Sequence, residues 1–186
     1  GTLINGNQIL ALIIKAIAKK GDHVVVNDAT SYLVKDVVEQ MGAHWHEVEV
    51  GETNVVTQML KHQSPVGGEG SNGGVIIAPQ TCRDGVLAIL ALLTIDFEQE
   101  LNNLPQYTTI ANKVYTDQFS KQLVKDHYPN TIETGDHTGG IKALTDDGWV
   151  WFRQSKTEAN TLRVISDAKD PQRAQSMMQE ALNLLK

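Results

Sequence analysis

The sequence predicts an α/β protein in two parts, a mixed and largely parallel α/β domain followed by a smaller α+β C-terminal domain. Three observations carry that expectation. A β-branched run, a helix and a second strand follow one another between residues 22 and 50, and strand–helix–strand at that spacing makes a parallel pair with a right-handed crossover. The stretch "LPQYTT" breaks the pattern, because Pro105 cannot continue a helix and polar residues follow it. Beyond the break, shorter strands and helices alternate up to a capped terminal helix. The expected domains are therefore 1–104 and 105–186.

Each element has its own warrant. "GNQILALIIKAIAKKG" sets Ile9, Leu12, Ile13, Ala16 and Ile17 at helical spacing and stops at Gly21. "HVVVND" is the pattern of a buried strand. "ATSYLVKDVVEQMGA" gives a helix with Thr30 or Ser31 near its cap and Gly42 just past its end. "HWHEVEVG" alternates as a strand does, and "ETNVVTQMLKHQ" is a short helix. "PVGGEGSNGGVIIAPQ" reads as a Gly-rich loop leading into a strand, and "RDGVLAILALLTIDFEQELNN" as one long helix. The closing "DPQRAQSMMQEALNLLK" has Asp170 as cap and Pro171 at the first helical position. Its inward stripe is Ala174, Met177, Met178, Ala181, Leu184 and Leu185.

Composition excludes several classes. With 186 residues, 41% of them hydrophobic, the chain can build a core. A net charge of −6 argues against nucleic-acid binding, which calls for a basic face. The apolar stretch "ILALIIKAIAKKG" is too short to span a bilayer, is interrupted by Lys15 and lacks a small-residue cleavage site. No membrane partner is expected. Cys82 is the only cysteine, so no intrachain disulfide can form and a reducing, cytoplasmic setting fits best. Gly1 in place of Met suits a fragment, a trimmed chain or a tag scar.

Two stretches can carry binding chemistry. In "WFRQSKTEANTLRV", Arg153 offers a planar fork, Ser155 and Thr157 hydroxyls, and Lys156 a point charge. A tight turn would add backbone N–H groups aimed into one concavity. A phosphate cradle and a solvated hairpin turn both fit these residues. In "GGEGSNGG", glycines around Glu69, Ser71 and Asn72 let a backbone approach a ligand, with short side chains suited to sugar hydroxyls. A plain flexible loop fits equally. His44 and His46 share one strand face and could ligate a metal, but no third ligand is evident. Asp136 and His137 read as loop residues, and Cys82 beside Arg83 has no assigned base.

In order, these pieces resemble the C-terminal half, the third and fourth domains, of an α-D-phosphohexomutase, the phosphoglucomutase/phosphomannomutase/phosphoglucosamine mutase family. "GEGSNGG" is similar to its sugar loop, GE-x-S-G-H or GEGNGG, and "RDGVLAILALL" to the helix start that follows. "LPQY" resembles the linker into the last domain. "GGIKALTDDGWVWFRQSKTEANTLRV" resembles the approach to the phosphate loop R-P-S-G/N-T-E-P, and "GTLINGNQILALI" the segment after the metal loop. Three departures stand out: Gln154 and Ala159 replace prolines, and Lys156 replaces Gly or Asn.

The resemblance implies a sugar site at Glu69, Ser71, Asn72 and Arg83, and a phosphate site at Arg153, Ser155, Lys156 and Thr157. It implies hexose phosphates and the family's N-terminal domains as partners. The phosphoserine and the D-x-D-x-D-R loop for Mg²⁺ belong to those domains, so these residues supply no catalytic group and no metal ligand of their own. The expected role is the binding half of an enzyme that interconverts hexose 1- and 6-phosphates, inactive alone. A non-catalytic phosphosugar-binding module of the same fold is the alternative. Self-association is expected through the helix at Gln8–Lys20, whose apolar face would be left exposed.

Overall fold

Val24, Val25 and Val26 leave no room for solvent on either face, and they form the middle of β1 (His23–Asn27). β2 (His44–Val48) and β3 (Val66–Glu69) flank it in parallel, and β4 (Gly74–Ile77) joins β3 antiparallel, giving the order β2-β1-β3-β4. A computed structural model describes residues 3–72 and 74–186, with the side chain of Asn72 outside that description. Two compact units result, Gly1–Gln106 and Tyr107–Lys186.

In the first unit, helices cover both faces of the sheet. α1 (Gly6–Ile17) starts on an Asn5–Gln8 capping box, and α2 (Tyr32–Gln40) on Ser31, whose hydroxyl accepts from Leu33 N–H at 3.1 Å. α3 (Glu52–His62) ends in Gln63 at φ 53°, a left-handed cap. The stretch expected to be a loop before β4 is β3 itself. Successive residues of a strand face opposite sides, and a Cβ on Gly67 would strike Met59 of α3 while one on Gly68 would crowd Leu10 of α1. Glycine is here a condition of three-layer packing rather than a sign of a loop.

The expected long helix is two. α4 (Gly85–Leu92) ends where Thr94 Oγ1 donates back to the Ala91 carbonyl, and α5 (Phe97–Asn102) restarts on Asp96, which accepts from Gln99 N–H. Nor does α1 leave an apolar face exposed. Leu10 through Ile14 are fully buried, while Val86, Ile89, Leu90 and Leu93 on and just after α4 form a cluster of exposed apolar residues.

The second unit is a five-stranded antiparallel sheet with two helices. The strands are β5 (Thr108–Tyr115), β6 (Thr131–Glu133), β7 (Ile141–Thr145), β8 (Gly148–Gln154) and β9 (Thr161–Ala168), in the order β5-β9-β8-β7-β6. α6 (Lys121–His127) and α7 (Pro171–Leu184) share one face, where Val124, Ala174, Met177, Met178 and Ala181 meet Val150, Phe152, Leu162 and Val164. Asp170 caps α7 by accepting from Gln172 N–H, with Pro171 at its first turn. Each buried methionine contributes roughly 1.5–3 kcal/mol. Among the described residues, no helix is long and apolar enough to cross a membrane.

Candidate functional site: a strand-end pocket and a cationic hairpin

The carboxyl ends of β1 and β3 lie side by side, where open α/β sheets receive ligands. Glu69 ends β3 and is buried; its Oε1 accepts from Asn27 Nδ2 at 3.1 Å and from Gly51 N–H at 2.9 Å. Asn27 Nδ2 also donates to Ser71 Oγ at 3.2 Å, and Thr30 Oγ1 donates to Asn27 Oδ1 at 2.7 Å. Gly70 N–H donates to Thr30 Oγ1, and a Cβ there would collide with Asn7 and Thr30. The turn after β3 is thus wedged against the starts of α1 and α2, with the Ser71 hydroxyl exposed above the Glu69 carboxylate.

Arg83 closes the other side. Its Nε donates to Glu52 Oε2 at 2.5 Å, and its Nη1 lies 4.0 Å from Glu69 Oε2. Asp84 accepts from Leu87 N–H and so fixes the start of α4 directly behind Arg83. A cleft of about 470 Å³ runs beside it, lined by Gly74, Arg83 and Asp84 together with Ile9, Ala88 and Leu92. Glu69, Ser71 and Arg83 therefore converge, and Asn72 is adjacent in sequence with its side chain outside the described residues. Asn27, Thr30 and Glu52 were not expected as members. The available signal for Asn27 was its place at the carboxyl end of a buried strand.

In the second unit, Arg153 lies on β8 and Ser155, Lys156 and Thr157 in the turn to β9. The turn closes with Ser155 N–H donating to the Thr161 carbonyl at 2.7 Å, and Asn160 takes a left-handed φ of 53°. Ser155 Oγ accepts from Glu158 N–H at 3.1 Å and lies 3.4 Å from Thr157 Oγ1. These bonds hold the loop without the two prolines. Either hydroxyl can be the donor in the Ser155–Thr157 contact.

Register adds a residue that the sequence reading missed. Arg153 faces Arg163 across β8–β9, and Arg163 faces Lys113 across β9–β5. All three point away from the helix-covered face, because Phe152, Leu162, Val164 and Val114 alternate with them in or against the core. Arg163 Nε is buried with no hydrogen-bond partner among the described residues. Lys113 Nζ donates to both carboxylate oxygens of Glu158 at 2.9 Å, holding that carboxyl below its ordinary range. Counting back from a turn closed by 155 and 161 puts 163 opposite 153, which was the available signal.

The remaining candidates separate. Asp136 Oδ1 accepts from Thr138 N–H and Oγ1, which organises its own loop, and Cys82 is exposed. His44 and His46 gain two neighbours unforeseen in sequence, His23 and His62.

Comparison with known proteins follows the same lines. Residues 5–113 match the family described as phosphoglucomutase/phosphomannomutase, alpha/beta/alpha domain III. The whole chain is 30% identical to 43% of a phosphoglucomutase/phosphomannomutase of Thermococcus kodakarensis. It superposes over its full length on 42% of a phosphoglucomutase/phosphomannomutase family protein of Burkholderia thailandensis, with a TM-score of 0.76 at 18% identity. An N-acetylphosphoglucosamine mutase of Aspergillus fumigatus, solved with GlcNAc-6P and magnesium, shares the fold over 98% of this chain at a TM-score of 0.68 and 12% identity. The chain spans less than half the length of these relatives. With that family matched over more than half of its residues, the chain belongs to the phosphoglucomutase/phosphomannomutase family.

Proposed function

We propose that the chain is the sugar- and phosphate-binding half of a phosphohexomutase, which holds a hexose phosphate while phosphoryl transfer is carried out by groups outside these residues. The observation that supports this most is the row Arg153–Arg163–Lys113 beside the Ser155 and Thr157 hydroxyls. Lys113 is engaged by Glu158, and the two arginines add positive charge on the same face. That charge suits a dianionic phosphate, which a guanidinium such as that of Arg153 can bind through two parallel N–H donors.

The strand-end pocket takes the sugar. Ser71 and Arg83 present donors, and the Glu69 carboxylate, held by Asn27 and Gly51, accepts from a hydroxyl that reaches Oε2. Gripping hydroxyls and the non-reacting phosphate, rather than the reacting end, lets either end of the sugar be offered for reaction. The family's Mg²⁺ does not fit here: Glu52 and Glu69, the neighbouring carboxylates, share Arg83 instead of facing a common cation position.

Calorimetric titration of the chain with glucose 6-phosphate tests the proposal. Saturable binding that inorganic phosphate competes away is expected. Absence of binding at millimolar ligand would overturn it.

A further inference from the structure

At the amino end of the same sheet, about 13 Å along β1 from Asn27, lies a second cluster unconnected with sugar binding. His23 opens β1, and His44 and His46 lie on β2 in register with His23 and Val25. Val25 packs on the α3 side with Val55 and Met59, so these imidazoles share that face. His62, in the last turn of α3, comes down onto them. The His46 and His62 rings stack at 4.1 Å, and His23 Nδ1 lies 2.7 Å from His46 Nε2. One ring nitrogen from each of His23, His46 and His62 lies within 4.8 Å of the others.

We propose that His23, His46 and His62 form a transition-metal site that takes Zn²⁺ through three imidazole nitrogens, with solvent in the fourth position. A tetrahedral site with Zn–N bonds of about 2.05 Å needs its nitrogens roughly 3.3 Å apart. The 2.7 Å and 4.8 Å separations bracket that value, and small ring rotations on three half-buried side chains equalise them. The electrostatics agree. Contact at 2.7 Å between two ring nitrogens requires one to be an unprotonated acceptor, which is the state that ligates. The carbonyl end of α3 carries the negative pole of its dipole towards the cluster, favouring a cation. Imidazole nitrogens suit zinc, copper and nickel and do not suit Mg²⁺ or Ca²⁺. A metal there ties the end of α3 to β1 and β2.

The test uses the untagged chain, stripped with chelator and titrated with ZnCl₂ by calorimetry, then with Co²⁺ by visible absorption. One equivalent should bind, and Co²⁺ should give the intense visible bands of a tetrahedral nitrogen site. His46→Ala and His62→Gln should each weaken binding by at least about tenfold, since even partners of ligands cost that much. His127→Ala, in the other unit, should not. His62→Gln sits at a half-exposed helix end and keeps the test valid if His46→Ala folds poorly. No stoichiometric binding, or wild-type affinity in both cluster variants, would overturn the site.

Discussion

Arg153 and Arg163 stand opposite each other in an antiparallel pair, which concentrates positive charge on the sheet face away from the helices. Arg153→Ala should therefore remove a charge-assisted contact of about 1.5–3 kcal/mol and weaken glucose 6-phosphate binding roughly tenfold or more. Arg153→Lys should not restore full affinity, because a point charge cannot reproduce the fork. Arg163→Ala should weaken binding as well, since it removes a second cation from the same face. Lys156→Gly separates two roles for the departure from the family pattern: affinity falls if the lysine helps to grip, and rises if it crowds the turn. Calorimetry on the four variants reads all of this. Unchanged affinity in Arg153→Ala, with wild-type binding measurable, would mean that the turn is merely solvated.

Among the elements, α4 is the one whose surface lacks an evident reason within its own unit. Val86, Ile89, Leu90 and Leu93 are each more than half exposed, whereas the core face of α1 is covered. Exposed apolar groups of this kind mark contact surfaces, so self-association should depend on α4 and not on α1. Light scattering on Leu90→Glu/Leu93→Glu should show a lower mean mass than wild type at equal concentration; a wild-type chain that stays monomeric across a wide range would contradict this. The β7–β8 turn supplies a pH test. Arg173 Nε donates to Asp147 Oδ1 at 3.0 Å and holds that carboxyl below its ordinary range. The folded pKa being depressed, the contribution is present above the unfolded value of about 3.9 and is lost as pH falls through the folded one. Asp147→Asn should flatten the acid limb of unfolding below about pH 4 and cost under about 1 kcal/mol at neutral pH, the pair being exposed. The elements that sequence made legible were those with local signals: the Asp170–Pro171 start of α7, the Ser31 cap and the β-branched β1. The misread ones depend on what packs nearby. Gly67 and Gly68 look like a loop until Met59 and Leu10 press from the two sides, and the break at Thr94–Asp96 rests on two side-chain hydrogen bonds inside an apolar run. The site divided similarly. Glu69 and Arg153 were legible as motif positions, while Asn27, Arg163 and the histidine cluster needed strand register.

For the whole chain the question is whether binding and chemistry are separable. Phosphoryl transfer needs a positioned nucleophile and neutralisation of charge on the transferred group, and in this family a phosphoserine and Mg²⁺ are expected to meet those needs. The strand-end pocket offers Ser71, but the Glu69 carboxylate is already held by Asn27 and Gly51 N–H and lies near Arg83 rather than acting as a base towards that hydroxyl. The chain alone should therefore show no mutase turnover with glucose 1-phosphate, mannose 1-phosphate or glucosamine 1-phosphate, even with Mg²⁺ and a hexose bisphosphate present. Adding separately expressed N-terminal domains of a relative such as the Thermococcus kodakarensis protein should restore measurable turnover with at least one of the three, and Arg153→Ala should reduce it. Coupled assays with a control for contaminating host mutase decide the matter. Turnover by the chain alone would refute the division of labour, and failure of complementation with phosphosugar binding intact would favour a module that binds without catalysing.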